Sequence, residues 1–412
     1  MSKFSRLQKA NRKDVFGMMH NFTYWSPTEV VFGKGTENEV AAYVKKYGGT
    51  KVLLVYGNGS VVRSGLLDKV KALLEEAGIA QDEFGGVQPN PSVEYAREGV
   101  KKAIECGADF ILAVGGGSAI DTAKGIAHGA ANPDIDIWKF WTREESVTKS
   151  LPVGVILTIS AAGSETSASS VLTNKETGSK RGLDNISFNY PKFAIMDPEL
   201  TFTLPVYQVA CGVTDIMMHT LDRYFNPKDN ELTDAIAEAL LRTVIANGAV
   251  AVKDPHNYDA MSEVMWCGSV SHNGLTGLGG DGDFAPHQLG HELSAMFDIA
   301  HGASLSVVWG DWAEYVCHAK LSRFVRYAKN VWNITEGSDE EIAEAGIRAT
   351  VDYFKSIGVP TCFSEAAEIG VQSEEVLQEL TDRCTYQGSR TIGSFRVLDG
   401  EDILNIYQAV NR

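Results

Sequence analysis

Asp215 and His219 stand four residues apart in the stretch Cys211-Gly212-Val213-Thr214-Asp215-Ile216-Met217-Met218-His219, a spacing that puts both on one face of a helix. His287 and His291 repeat the interval within Pro286-His287-Gln288-Leu289-Gly290-His291-Glu292-Leu293, and His301 follows in Asp298-Ile299-Ala300-His301-Gly302. One carboxylate with three imidazoles suits a borderline divalent cation such as Fe²⁺ or Zn²⁺ and leaves a position open for a substrate oxygen. The spacing is equally compatible with hydrogen-bonded core histidines, since the chain has nine histidines in all. His20, His128, His256, His272 and His318 read as structural or solvent-facing.

A second kind of chemistry is suggested by glycines. Val114 is followed by Gly115-Gly116-Gly117-Ser118 and then by Ala119-Ile120-Asp121-Thr122-Ala123-Lys124, a turn between an apolar run and a helix start. Without Cβ atoms a diphosphate can approach the backbone, where free N–H groups and the helix dipole favour its charge. The same residues also suit a plain tight turn with Ser118 as N-cap and Asp121 as its capping-box partner. A shorter turn, Gly57-Asn58-Gly59-Ser60, lies where a mononucleotide fold holds the adenosine half, although Val62 occupies the place of a third glycine. No Asp or Glu follows at that strand end to accept ribose hydroxyls and repel a 2′-phosphate, so NADP(H) is favoured over NAD(H).

The elements that must position these residues are legible in outline. Lys51 to Tyr56 reads as a buried strand, and Ser64 opens a helix with Leu66, Leu67, Val70, Leu73, Leu74 and Ala77 on one face, stopped by Gly78. Ser92 to Cys106 is a second helix ended by Gly107, and Phe110 to Val114, Val153 to Leu157 and Phe193 to Met196 are further apolar strands. Repeated β-α-β units with wholly apolar strands imply a parallel sheet covered on both faces. After Asp197-Pro198 strand-like runs vanish and helical periodicity takes over, as in Thr233 to Asn247 and in Ser338 to Lys355 with its Ser338/Glu341 capping box. The expected organisation is an N-terminal tail over 1–18, an α/β dinucleotide-binding domain over 19–200 and an all-helical metal-binding domain over 201–412.

Composition narrows the function classes. A 412-residue chain of net charge −16 would be repelled by nucleic acid and by anionic membranes, and 44% hydrophobic with 22% charged residues is ordinary for a globular protein. Cys106, Cys211, Cys267, Cys317, Cys362 and Cys384 form no C-x-x-C pair, which makes a reducing cytoplasm the expected compartment. The segment Met1 to Asp14 is polar and basic with no secretory apolar run after it, and no segment is expected to approach the length of a membrane helix.

Several motifs agree in order and spacing with one family. Phe32-Gly33-Lys34-Gly35, Pro89-Asn90-Pro91, the Gly115 to Lys124 motif, Gly163-Ser164-Glu165, Asp197-Pro198 and the Asp/His set resemble the iron-containing (group III) alcohol dehydrogenases, from about Phe22 onward. Within them the chain looks most like the butanol dehydrogenase and NADPH-dependent aldehyde reductase branch, through Leu240-Leu241-Arg242-Thr243, Met265-Trp266, His291-Glu292-Leu293-Ser294-Ala295 and Val331-Trp332-Asn333-Ile334. The resemblance implies a dinucleotide domain, a helical metal domain and an active site in the cleft between them. It implies Asp215, His219, His287 and His301 as ligands of one divalent metal, and His291 beside them in catalysis, near nicotinamide and substrate. It implies Gly116, Gly117 and Ser118 at the pyrophosphate, Asp121 on the nicotinamide side, and Asn90, Thr158 and Lys180 against the cofactor, with Gly57, Asn58, Gly59 and Ser60 at the adenosine half. Where many members carry Thr-Thr-x-Gly-Thr-Gly-Ser-Glu, this chain reads Thr158-Ile159-Ser160-Ala161-Ala162-Gly163-Ser164-Glu165, so one threonine hydroxyl is missing at Ala162.

The implied reaction is hydride transfer between NAD(P)(H) and a small primary alcohol or aldehyde such as butanol or butanal. A metal- and NAD-dependent lyase or glycerol-type polyol dehydrogenase on the same fold is one rival. It would need a Lys/Arg cluster for its charged substrate, where the metal segments carry Met217, Met218, Leu289, Leu293 and Met296. A non-catalytic, metal-stabilised assembly protein is the other. Asn21 to Trp25 is expected to form an edge hairpin pairing across a twofold axis, and the family implies a homodimer.

Overall fold

The computed structural model describes residues 20–57 and 59–412, so the expected tail over 1–18 and Asn58 lie outside the described residues. In chain order the first part contains β1 (Glu29–Phe32), α1 (Val40–Lys46), β2 (Lys51–Gly57), α2 (Ser60–Arg63), α3 (Leu66–Glu76), β3 (Ala80–Val87), α4 (Val93–Cys106), β4 (Phe110–Gly115), α5 (Gly117–Ala131), α6 (Trp138–Trp141), β5 (Val153–Leu157), β6 (Ser169–Asn174), β7 (Ser179–Asp184) and β8 (Phe193–Met196). Helices then follow: α7 (Val206–Tyr224), α8 (Glu231–Lys253), α9 (Tyr258–His272), α10 (Ala285–Phe297), α11 (His301–Val316), α12 (Leu321–Trp332), α13 (Asp339–Ser356), α14 (Glu374–Cys384) and α15 (Gly400–Val410).

Six strands form one parallel sheet in the order β1-β8-β5-β4-β2-β3. Strands β4, β5 and β8 are buried along their whole length, as their unbroken apolar runs require. The chain leaves β2 for β3 on one side and returns to β4 on the other, so the strand order reverses between β2 and β4. Ligands of open α/β sheets bind at such a switch point, outside the carboxyl ends of the strands. Both glycine turns lie there, at the ends of β2 and β4. Local signals act as the sequence suggests at α4, where the Ser92 hydroxyl caps the Tyr95 N–H and Gly107 closes the helix at φ 68°.

Other expectations are corrected. The helix expected to open at Ser64 is α3, which starts at Leu66 after Gly65 at φ 78°, and a separate short helix, α2, precedes it. Asn21 to Trp25 form no strand, and one edge of the sheet is β1, paired in parallel with β8. The capping box at Ser118 and Asp121 is absent, because the helix N-cap is Gly116 and the Asp121 carboxylate turns inward. By length and composition α8 could cross a membrane, contrary to expectation. It packs instead against α7, α9 and α12 and pairs its Asp234 and Glu238 with Arg323 and Arg326. The helical part is built on a single apolar cluster, and that cluster takes in Met217, Met218, Leu289 and Leu293 with Met296 packed against it. Met217, Met218, Leu289 and Leu293 are wholly buried in that core, so they carry no argument for an uncharged substrate.

Candidate active site

Helix α7 brings Asp215 and His219 to one face, with His219 Nε2 3.5 Å from Asp215 Oδ1. His287, in the first turn of α10, approaches with its Nε2 3.9 Å from the same oxygen, and His301, the first residue of α11, with its Nε2 at 3.7 Å. Asp215, His219 and His287 are buried and form the tight group, and His301 closes it from the more exposed side. Ligand atoms on a tetrahedral ion with bonds of about 2.0–2.2 Å lie roughly 3.4 Å apart, so this spacing fits a single small cation.

Two further observations favour that reading over core histidines. Asp215 Oδ1 and His287 Nε2 are buried without any hydrogen-bond partner, an expensive arrangement for lone pairs unless a cation takes them. His287 Nδ1 donates to Asp222 Oδ2 at 2.5 Å, which fixes the tautomer and turns the Nε2 lone pair towards Asp215. Burial holds Asp215 up at about 6 and pushes His219 and His301 well below the ordinary histidine value. The His219 and His301 imidazoles are therefore neutral and able to donate lone pairs at neutral pH.

His291 stands one turn along α10, half-buried, its ring centre 5.5 Å from that of His301 and 6.2 Å from that of His287. It is thus beside the cluster and outside it. Burial, with the Lys180 ammonium nearby, holds its pKa well below the usual value.

On the nucleotide side Gly116 is the N-cap of α5, and Gly117 and Ser118 form its first turn. A Cβ on Gly116 would lie 1.8 Å from Ile159 Cγ2, so only glycine lets the turn approach the loop after β5. Gly57 ends β2, Gly59 turns at φ 104°, and Ser60 starts α2. Thr158 follows β5, its N–H on the Gly115 carbonyl at 3.1 Å. Asp121 accepts from Ser164 Oγ at 2.6 Å and from the Val171 N–H at 2.9 Å, so its carboxylate ties α5 to the loop after β5 and to β6. Lys180, on β7, donates to Asn90 Oδ1 at 2.9 Å, and burial lowers its ammonium to about 8.

The loop after β5 joins the two sides. On α7, three residues before Asp215, a Cβ at Gly212 would lie 2.2 Å from the Ser160 carbonyl oxygen, and on α11 a Cβ at Gly302, next to His301, would lie 2.0 Å from that of Cys211. His272, at the end of α9, hydrogen-bonds through Nδ1 to the Ala162 carbonyl and stacks on His219 with ring centres 4.0 Å apart. The sequence gives no sign of His272, whereas Asp222 could have been found, since Asp215, His219 and Asp222 fall on one helix face.

A doubly wound sheet whose switch-point turns adjoin a carboxylate–imidazole cluster on a neighbouring helical layer defines a nicotinamide- and metal-dependent oxidoreductase. Residues 27–198 match the profile of the family "iron-containing alcohol dehydrogenase", and residues 209–411 match "Fe-containing alcohol dehydrogenase family, C-terminal". The chain belongs to the iron-containing alcohol dehydrogenase family. It is 40% identical over 393 residues to NADH-dependent butanol dehydrogenase A of Clostridium acetobutylicum, covering 95% of this chain and 99% of that one. It is 39% identical over 371 residues to the NADPH-dependent aldehyde reductase YqhD of Escherichia coli, covering 88% and 94%. The solved structure of NADH-dependent butanol dehydrogenase A from Thermotoga maritima superposes with a TM-score of 0.92 at 34% identity, covering 96% of this chain and 100% of that one.

Proposed function

We propose that this chain reduces small aldehydes such as butanal, and oxidises the corresponding primary alcohols, with NADPH preferred over NADH. The observation that carries the reading is the Asp215 cluster held against the loop after β5, the loop that also packs on the Gly116 turn. A divalent cation at Asp215, His219, His287 and His301 would polarise the substrate oxygen and favour the alkoxide form. The chain's own residues do the rest. Asp222 holds His287 in one tautomer, and with Asp215 as the only carboxylate among them the four ligands would leave a bound divalent cation net positive, able to stabilise an alkoxide. The half-buried His291 imidazole is placed to pass the alcohol proton between substrate and solvent. Asn90, Lys180 and the glycine turns orient the dinucleotide, and the two layers exclude water from the hydride path.

NADPH preference is supported by the turn at Gly59, where a Cβ would lie 3.2 Å from the Arg63 guanidinium, so a cation overhangs the adenosine end. No carboxylate lies between Gly57 and Ser64, and β3 ends at Val87, followed by Gln88. Relatives named as NADH-dependent and as NADPH-dependent both occur. Iron and zinc suit the donor set alike.

The exposed aromatic side chains of Phe22, Tyr24 and Trp25 support pairing of two copies, to be checked by sedimentation. The six free cysteines suit a reducing cytoplasm. The deciding experiment is oxidation of NADPH and NADH with butanal before and after chelation, with Fe²⁺ or Zn²⁺ restored. Turnover abolished by chelator and recovered with metal is expected. No turnover with either nucleotide after metal is restored would overturn the reading.

A further inference from the structure

Asn90 and Asp298 are 208 residues apart in sequence, one in the α/β part and one in the helical part, and Asn90 Nδ2 donates to Asp298 Oδ1 at 2.8 Å. Both backbones are left-handed, Asn90 at φ 50° and Asp298 at φ 55°. Each conformation is locally unfavourable. Asn90 precedes Pro91, which disfavours helical geometry at the preceding residue, and Asp298 puts a carboxylate at the carboxyl end of α10, where the dipole repels it. Glycine would relieve the strain at both positions but could make no such bond. Strain kept on both sides of one contact points to a role for that contact.

The surroundings say which role. Asn90 lies in the loop between β3 and α4, beyond the switch-point edge of the sheet, and its Oδ1 accepts from the buried Lys180 ammonium. Asp298 lies in the short connection between α10, which carries His287 and His291, and α11, which begins at His301. The hydrogen bond therefore ties the nucleotide side of the cleft to the segment joining the metal helices. Its solvent-exposed position makes it a contact that can break and re-form without unfolding either part.

We propose that Asn90 and Asp298 form a clasp across the mouth of the cleft, and that its opening controls how fast the dinucleotide leaves. Asp298 is then a positioning residue that acts through Asn90. This rests on the dinucleotide reading given above. The test is stopped-flow release of NADPH, followed by its fluorescence, from wild type, Asp298→Gly and Asp298→Asn. Asp298→Gly removes the clasp and relieves the strain, and its release rate should rise about fivefold, the factor that one net hydrogen bond contributes. Asp298→Asn keeps an acceptor and tolerates the left-handed backbone, so its release should stay within about twofold of wild type. Asn90→Gly breaks the contact from the other side, and the Asp298→Gly/Asn90→Gly pair should release no faster than Asn90→Gly alone. Equal release from wild type and Asp298→Gly, or equally fast release from Asp298→Gly and Asp298→Asn, would overturn the clasp and leave the proposed function standing. A wild-type protein that binds neither NADPH nor NADH would overturn both.

Discussion

On the proposed function the nucleotide half would offer its ligand a surface of backbone, at Gly57, Gly59, Gly116 and Gly117, whereas the helical half would offer side chains, at Asp215, His219, His287 and His301. A surface of backbone can be spoiled only by adding atoms, and a surface of side chains by removing them. The two halves therefore fail in opposite ways. Filling the first should weaken nucleotide binding and spare the metal, while truncating the second should remove the metal and spare nucleotide binding.

The largest expected effect breaks the helical half. Asp215→Ala and His287→Ala should lose the metal together with activity, by roughly 10³-fold if the cation supplies several kcal/mol of charge stabilisation. Elemental analysis with parallel kinetics checks this, and full metal occupancy in Asp215→Ala would sink the ligand assignment. Next, His291→Ala should keep its metal and slow turnover by roughly 10²-fold, as expected for a lost proton-transfer group. Loss of metal in that variant would move His291 into the ligand set.

The nucleotide half is broken by Gly116→Ala, whose new Cβ collides with Ile159. Overpacking of about 1–3 kcal/mol would weaken NADPH binding roughly fivefold to 150-fold, with metal content unchanged, as calorimetric titration would reveal. An unaltered titration would reduce the turn to packing alone.

The smallest effect is graded and sharpens the comparison through pH. Burial raises Asp215 to about 6, so its ionised fraction in the metal-free protein grows as pH rises through 6. His219 and His301 are already neutral there, having been pushed well below their ordinary value. Metal uptake by the stripped protein should therefore fall as pH drops below 6, by up to about tenfold per pH unit, and level off above it. Nucleotide binding at the glycine turns should show no such step.

The same contrast explains what the sequence revealed. Ligand-type side chains declare themselves by spacing, and Asp215, His219, His287 and His301 converge although 86 residues separate the first from the last. Asp222 belongs to the same pattern, seven residues after Asp215 and so on the same face of α7. The buried strands β4, β5 and β8 read as apolar runs, but β3, Ala80 to Val87, is a polar edge strand, and β7 reads Ser-Lys-Arg-Gly-Leu-Asp, so neither shows a hydrophobic pattern. The inward turn of Asp121 was equally out of reach. Its partners, Ser164 and Val171, lie on segments that meet α5 only once the chain is folded.

The near-contact of Gly212 with the Ser160 carbonyl bears on how such a protein can be re-engineered. Main chain meets main chain there, with no side chain between to absorb a shift, and Asp215 follows within one helical turn. A library selected for a new nicotinamide cofactor through changes in the 158–163 loop should therefore gather compensating substitutions on α7. Cofactor choice and metal geometry would then evolve as one trait.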